Sequence, residues 1–195
     1  MSSRLRKFPL IALSLLIVLA LGACGDSHTK VTTGTYAGES GAAAPYLDVG
    51  PLVYQVQQSR QLNPFDTEDS AYLAGLPAAQ RQLLPGQEWF GVFLQVYNHS
   101  GQSHPAATSL TVTDTQGNTY SPLLTEPANT FAYRAGLVPA SGQLPVPDSV
   151  GSFGPVQGAL LLYKIQIVSL DNRPLKFNIA DPINPAERAS AELDV

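Results

Sequence analysis

Residues 156–179 read VQGALLLYKIQIVSLDNRPLKFNI, and their alternation decides the fold class. Leu161, Tyr163, Ile165 and Ile167 alternate with Lys164 and Gln166, and Leu175, Phe177 and Ile179 alternate with Lys176 and Asn178. A period of two with one wet face is the signature of a half-buried strand. Between the two runs, Leu170-Asp171-Asn172-Arg173 predicts a hairpin turn, with Pro174 tolerated at a strand start. Working outward, Leu52, Tyr54 and Val56 alternate with Val53, Gln55 and Gln57, and Leu110 and Val112 alternate with Thr111 and Thr113. The turn DTQGN at 114–118 should return the chain to Thr119 and Tyr120. Successive hairpins imply antiparallel pairing, and about seven such strands imply an all-β chain folded as a two-sheet sandwich.

One strand departs from the half-wet pattern. In EWFGVFLQVYN (88–98), Phe90, Val92, Leu94 and Val96 make one apolar face, while Trp89, Phe93 and Tyr97 make the other nearly apolar too. Both faces need cover. Either the preceding segment or the opposite edge of the sandwich buries Trp89 and Phe93, or Trp89, Phe93 and Tyr97 form a protein-binding patch. That preceding segment, 64–86, is not strand-like. Asp66 can cap a short helix carrying Glu68, Asp69, Tyr72 and Leu73, and Gly75 can end it. Pro77 then suits the first position of a second short helix, AAQRQLL, closed by Pro85-Gly86. A helical insertion between the first two strands is expected.

Composition agrees with a turn-rich β domain: 195 residues with 16 glycines, 16 prolines and only 13% charge, against a usual charged fraction of about 25%. The acidic balance, 15 acids to 11 bases, argues against nucleic acid, whose phosphates demand a basic face. A single cysteine forbids an internal disulfide or a Cys-rich zinc site. That cysteine has a telling position. Arg4, Arg6 and Lys7 precede an apolar run from Leu10 to Leu21, followed by Gly22, Ala23 and Cys24, the three regions of an export signal. As a helix the run would span about 18 Å, short of the ~30 Å hydrocarbon core of a bilayer.

Leu21-Gly22-Ala23-Cys24 resembles the lipobox of bacterial lipoproteins, in which the thiol takes a diacylglycerol and cleavage leaves the modified Cys first in the mature chain. Two or three acyl chains on Cys24 would make attachment effectively permanent. Losing residues 1–23 removes three bases and no acid, leaving 8 bases against 15 acids, a net −7. An electrostatic grip on anionic lipid is therefore excluded, and lipid must do the anchoring. The expected organisation is a signal peptide at 1–23, a lipidated Cys and flexible tether at 24–45, a sandwich domain at 46–180 and an acidic flexible tail at 181–195. A tether of some 20 residues would hold the domain roughly 25 Å from the lipid.

The layout resembles a family of uncharacterised immunoglobulin-like domains found in Gram-positive, especially actinobacterial, surface lipoproteins. The resemblance rests on the lipobox and the Ser/Thr/Gly-rich tether, on SRQLNPFDTEDSAYLAG (59–75) ahead of the 88–98 strand, and on VQGALLLYKI (156–165) followed by NRPLKFNI (172–179). It implies an immunoglobulin-like antiparallel β-sandwich on the extracytoplasmic face of the cell membrane. It supplies no reaction and no active site.

Candidate chemistry is sparse. Gly25-Asp26-Ser27 copies the GDS of some lipases and esterases, but in a tether no oxyanion donors or oriented His can be fixed around Ser27. His99 and His104, with Asp114 further on, offer a weak metal site in a loop that supplies no third ligand of its own. Met1 is the only methionine, which removes a Met/His copper-carrier reading. Asp66, Glu68 and Asp69 tempt a calcium assignment, yet the spacing lacks alternating oxygen ligands, and acids in a first helical turn have a dipole to satisfy. Asn98-His99-Ser100 matches a glycosylation sequon, a coincidence beside a bacterial lipobox. The expected function is that of a lipid-anchored, non-enzymatic interaction or support module for another envelope protein or a wall component, with no cofactor. Small-ligand or metal-ion capture is the alternative, and an envelope hydrolase a distant third.

Overall fold

The computed structural model describes residues 29–35 and 46–193, with side chains from Tyr46 onward. The segment expected to be an export signal, Cys24 and Ser27 lie outside the described residues. Two sheets face each other. One has the order β1 (Thr29–Thr35), β12 (Arg188–Leu193), β11 (Leu175–Ala180), β6 (Ser109–Thr113) and β7 (Thr119–Tyr120). The other has the order β10 (Ala159–Gln166), β4 (Gln87–Asn98), β3 (Leu52–Leu62) and β2 (Tyr46–Val49), with β9 (Gln143–Leu144) also on β4. A small ladder joins β5 (His104–Pro105) to β8 (Leu137–Val138). The pairings are antiparallel except β1 on β12. The antiparallel sandwich expected from the alternation is the observed fold.

Between the sheets lie Tyr54, Val56, Phe90, Val92, Leu94, Val96, Leu161, Tyr163 and Ile165 from one layer and Leu110, Val112, Leu175, Phe177, Ile179, Ala189 and Ala191 from the other. Two tyrosines thread hydroxyls through this layer. The Tyr54 hydroxyl accepts the Ala107 N–H at 2.8 Å, and the Tyr133 hydroxyl donates to the Ala107 carbonyl at 2.9 Å. Burial pushes Tyr54 up to about 12, so it stays neutral.

Four expectations need correction. The 170–173 turn does not close a hairpin, because β10 and β11 belong to opposite sheets. Ile167 leaves the strand as the first residue of a 3-10 turn, Ile167–Leu170, that carries the chain across the sandwich. The 181–195 tail is not frayed: Ala189, Ala191 and Leu193 alternate inward, and β12 fills the place between β1 and β11. The Asp181 carboxylate fixes the turn before it, accepting the N–H groups of Ile183 and Asn184 at 2.8 and 2.6 Å. Nor is the 24–45 tether unstructured throughout, since Thr29–Thr35 runs along β12. The sandwich thus extends beyond 46–180 at both ends.

A buried polar clamp holds the crossover. Asp114 accepts the N–H groups of Gln116 and Asn118, the Asn118 side-chain amide, and the hydroxyl of Ser169 at 2.7 Å. Ser169, itself fully buried, also pairs with the Tyr120 hydroxyl at 2.7 Å. The β6–β7 turn and the crossover are thereby one unit. Burial alone would raise the Asp114 carboxyl, but these four hydrogen bonds outweigh it and hold the group down at about 2. Because its folded value lies below the ordinary 3.8, its stabilising contribution is complete above that pH and is lost as pH falls through about 2. Asp114→Asn, which puts an amide N–H₂ among four donors, should cost about 1–3 kcal/mol in urea unfolding at neutral pH, and the deficit should shrink toward pH 2.

Candidate functional site

The aromatic face of β4 is covered. Asp66 caps α1 (Thr67–Tyr72), accepting from the N–H groups of Glu68 and Asp69, and the helix lays Tyr72 against the strand. Tyr72 meets Phe93 edge-on at 5.0 Å and Phe131 at 4.9 Å. With Leu62, Leu76, Trp89, Leu160 and Leu162 these rings form a second core on the outer face of the sheet. The second helix expected after Pro77 is only a 3-10 turn, Ala78–Gln80. Lys164 straps the following segment down, donating to the Gln82 carbonyl at 2.7 Å with its ammonium 5.1 Å from the Trp89 ring centre. Trp89 and Phe93 are therefore core residues, and the patch Trp89, Phe93 and Tyr97 is not an open surface. Tyr97 alone stays half-buried, stacked on the exposed His99 at 6.0 Å and donating to Gln95.

The acidic cluster is spent on the same insertion. Asp69 lies 2.6 Å from Arg60 and accepts the Asn63 N–H at 2.7 Å, and Glu68 takes Arg60 at 3.2 Å and the Tyr72 hydroxyl at 3.0 Å. These carboxylates point to guanidinium and backbone donors, so they do not converge on a shared cation position. His99 follows β4 in a loop, and His104 pairs with Val138 in β5. Among the described residues no three His, Cys, Asp or Glu side chains gather into a metal-binding group. Asn98 is buried: its amide donates to the carbonyls of Gln102, Val138 and Pro139, and its oxygen accepts from Ser100. The sequon side chain is a loop staple.

A concave, largely apolar site lies elsewhere, at the outer edge of β10. The strap 121–136 runs along this edge, with Leu123 N–H bonded to Leu162 O at 2.7 Å and Tyr133 N–H bonded to Leu160 O at 2.8 Å. Arg134 clasps the strap on itself, donating to the carbonyls of Thr125 and Glu126 at 2.6 Å each. Beneath it a pocket of about 160 Å³ opens between the layers, lined by Leu110, Leu123, Leu160, Leu161, Leu162 and Tyr133. Thr108, Thr125 and Arg134 supply its polar groups. A largely apolar pocket of this volume has room for a benzene-sized guest. Burial holds the Tyr133 hydroxyl above its ordinary range, so it adds no charge. The strap has no alternation or capping pattern, and nothing in its sequence announced the pocket.

No protein-family model matches the chain, and no curated protein matches it. Solved structures do. The yjhA protein of Bacillus subtilis aligns with TM-score 0.50 at 9% identity, covering 77% of this chain and 97% of that one, a likeness of fold. A candidate lipoprotein of Bacillus subtilis, ycdA, aligns with TM-score 0.45 at 9% identity over 77% of this chain, which spans 38% of its length. An uncharacterised β-sandwich protein of Clostridium difficile aligns with TM-score 0.44 at 10% identity, covering 84% of this chain and 95% of the other.

Phe93→Ala should lower unfolding free energy by about 3–5 kcal/mol, as truncation of a buried ring does. A variant as stable as the parent would return Phe93 to the surface.

Proposed function

We propose that this chain is an extracytoplasmic lipoprotein, anchored through lipid on Cys24, whose sandwich is a non-catalytic binding module serving another envelope protein or a wall component. The observation that carries the reading is the single cysteine, placed where a lipobox would use it, behind basic residues and a 12-residue apolar run. The domain's own chemistry supports it. Asp66, Glu68, Asp69 and Asp114 are engaged in caps, ion pairs and turns. Groups already committed to structural partners are poorly placed to act as general acids or bases. Cys24→Ala should move the exported protein from the detergent phase to the aqueous phase in phase partitioning, or leave it unprocessed. An unchanged detergent-phase fraction of processed Cys24→Ala protein, lacking residues 1–23, would overturn the anchor.

A second reading, capture of a small apolar ligand, is favoured by the pocket beside β10 rather than by the acids or histidines. Benzene used as a probe should raise the unfolding temperature of the parent by mass action, and Ala132→Leu, which fills the pocket, should abolish the rise. No rise in the parent would remove this reading.

A further inference from the structure

If Cys24 carries lipid, the pairing of β1 with β12 decides which end of the sandwich lies near it, and within what reach. Thr29 is level with Arg188, which is level with Ala180 on β11. The chain therefore enters beside the turn 181–187. Only four residues separate Cys24 from Thr29, and five Cα steps reach at most about 18 Å. A free tether would let the domain tumble well clear of the surface; this connection keeps that turn within about 18 Å of it. At this tip Ile183 stands 72% exposed between Pro182 and Pro185, in a turn pinned by Asp181. An isoleucine on a rigid prolyl turn loses little entropy on insertion.

We infer that the turn 181–187 docks on the bilayer through Ile183, so that the DTQGN turn (114–118) projects outward. The inference rests on the lipoprotein reading and names the surface that reading leaves open. The partner is the apolar margin of a lipid surface rather than its charge, because the mature chain carries a net −7 and anionic headgroups repel it. One aliphatic side chain binds a bilayer too weakly to hold a free protein. Tethering supplies the difference: the short connection keeps the turn at high effective concentration over the lipid, and the contact then sets orientation rather than affinity. The opposite end, where β6 and β11 meet the 114–118 turn, lies about 20 Å farther out at 3.4 Å per residue.

The test places a reporter at each end. Ile183→Trp and Gln116→Trp are made in the full mature chain and anchored to vesicles of phosphatidylcholine brominated in its acyl chains; Trp89 is buried in both and gives a constant background. Half of each preparation carries its natural lipid, and half is coupled through Cys24 to a maleimide phospholipid; flotation reports attachment. The expected result is quenching at position 183 at least about two-fold greater than at 116, lost when Val31→Pro and Thr33→Pro break the β1 ladder. Equal quenching at both positions, or none, in chains that float overturns the docking while leaving the anchor intact. Flotation of the maleimide-coupled chain alone, with quenching at 183, upholds the docking and refutes natural lipidation. Quenching at 116 but not 183 would turn the domain over and give Ile183 to a protein partner.

Discussion

A strand apolar on both faces is the constraint on which the other parts depend. β4 presents Phe90, Val92, Leu94 and Val96 to the facing sheet, and Trp89 and Phe93 to the outside. One sheet can cover only one of these faces. The other is closed by the segment between β3 and β4, which cannot be a tight hairpin because it must return across the strand it has just left. Its helix is short, six residues, and isolated helices of that length do not persist in water. It exists because Asp66 satisfies its first N–H groups and Tyr72 finds Phe93. The ion pair of Arg60 with Asp69 then ties the helix back to β3.

Much of this was legible in sequence, for identifiable reasons. The sandwich followed from period-two alternation, the helix from Asp66 and Gly75, and the DTQGN turn from Asp114, whose carboxylate collects the N–H groups that follow it. The alternative in which Trp89 and Phe93 were covered was also readable, although sequence could not choose it over a patch. What escaped was non-local. Nothing in LDNR distinguishes a hairpin from a crossing between sheets, because that choice depends on Ser169 meeting Asp114, 55 residues away. The last strand was concealed by composition: small alanines alternating in RASAEL look like a solvated tail until β11 provides a wall for them.

The candidate sites divided along the same line. Asp66, Glu68 and Asp69, whose types suggested a metal, are explained by neighbours close in sequence, α1 and Arg60, whereas Asn98 of the sequon also holds the distant carbonyls of Val138 and Pro139. The apolar pocket came from a segment with no periodic pattern, the strap clasped by Arg134, and its walls are drawn from three distant stretches of chain. Local chemistry was visible and assembled concavity was not. An alternating strand announces which face it buries, but no residue in 121–136 announces what it will lie against.

Both ends of the described chain meet in one sheet, and this joins the fold to its proposed setting. If β1 is part of the sandwich, the domain begins within a few residues of Cys24 and has a fixed lipid-facing end; if it is not, the domain hangs on a loose tether. Amide hydrogen exchange on the full mature chain tests this most directly. The account predicts that amides within Thr29–Thr35 and Arg188–Leu193 are protected together, exchanging far more slowly than free peptide and in step with β11. Exchange of Thr29–Thr35 at free-peptide rates, with β11 still protected, would contradict it.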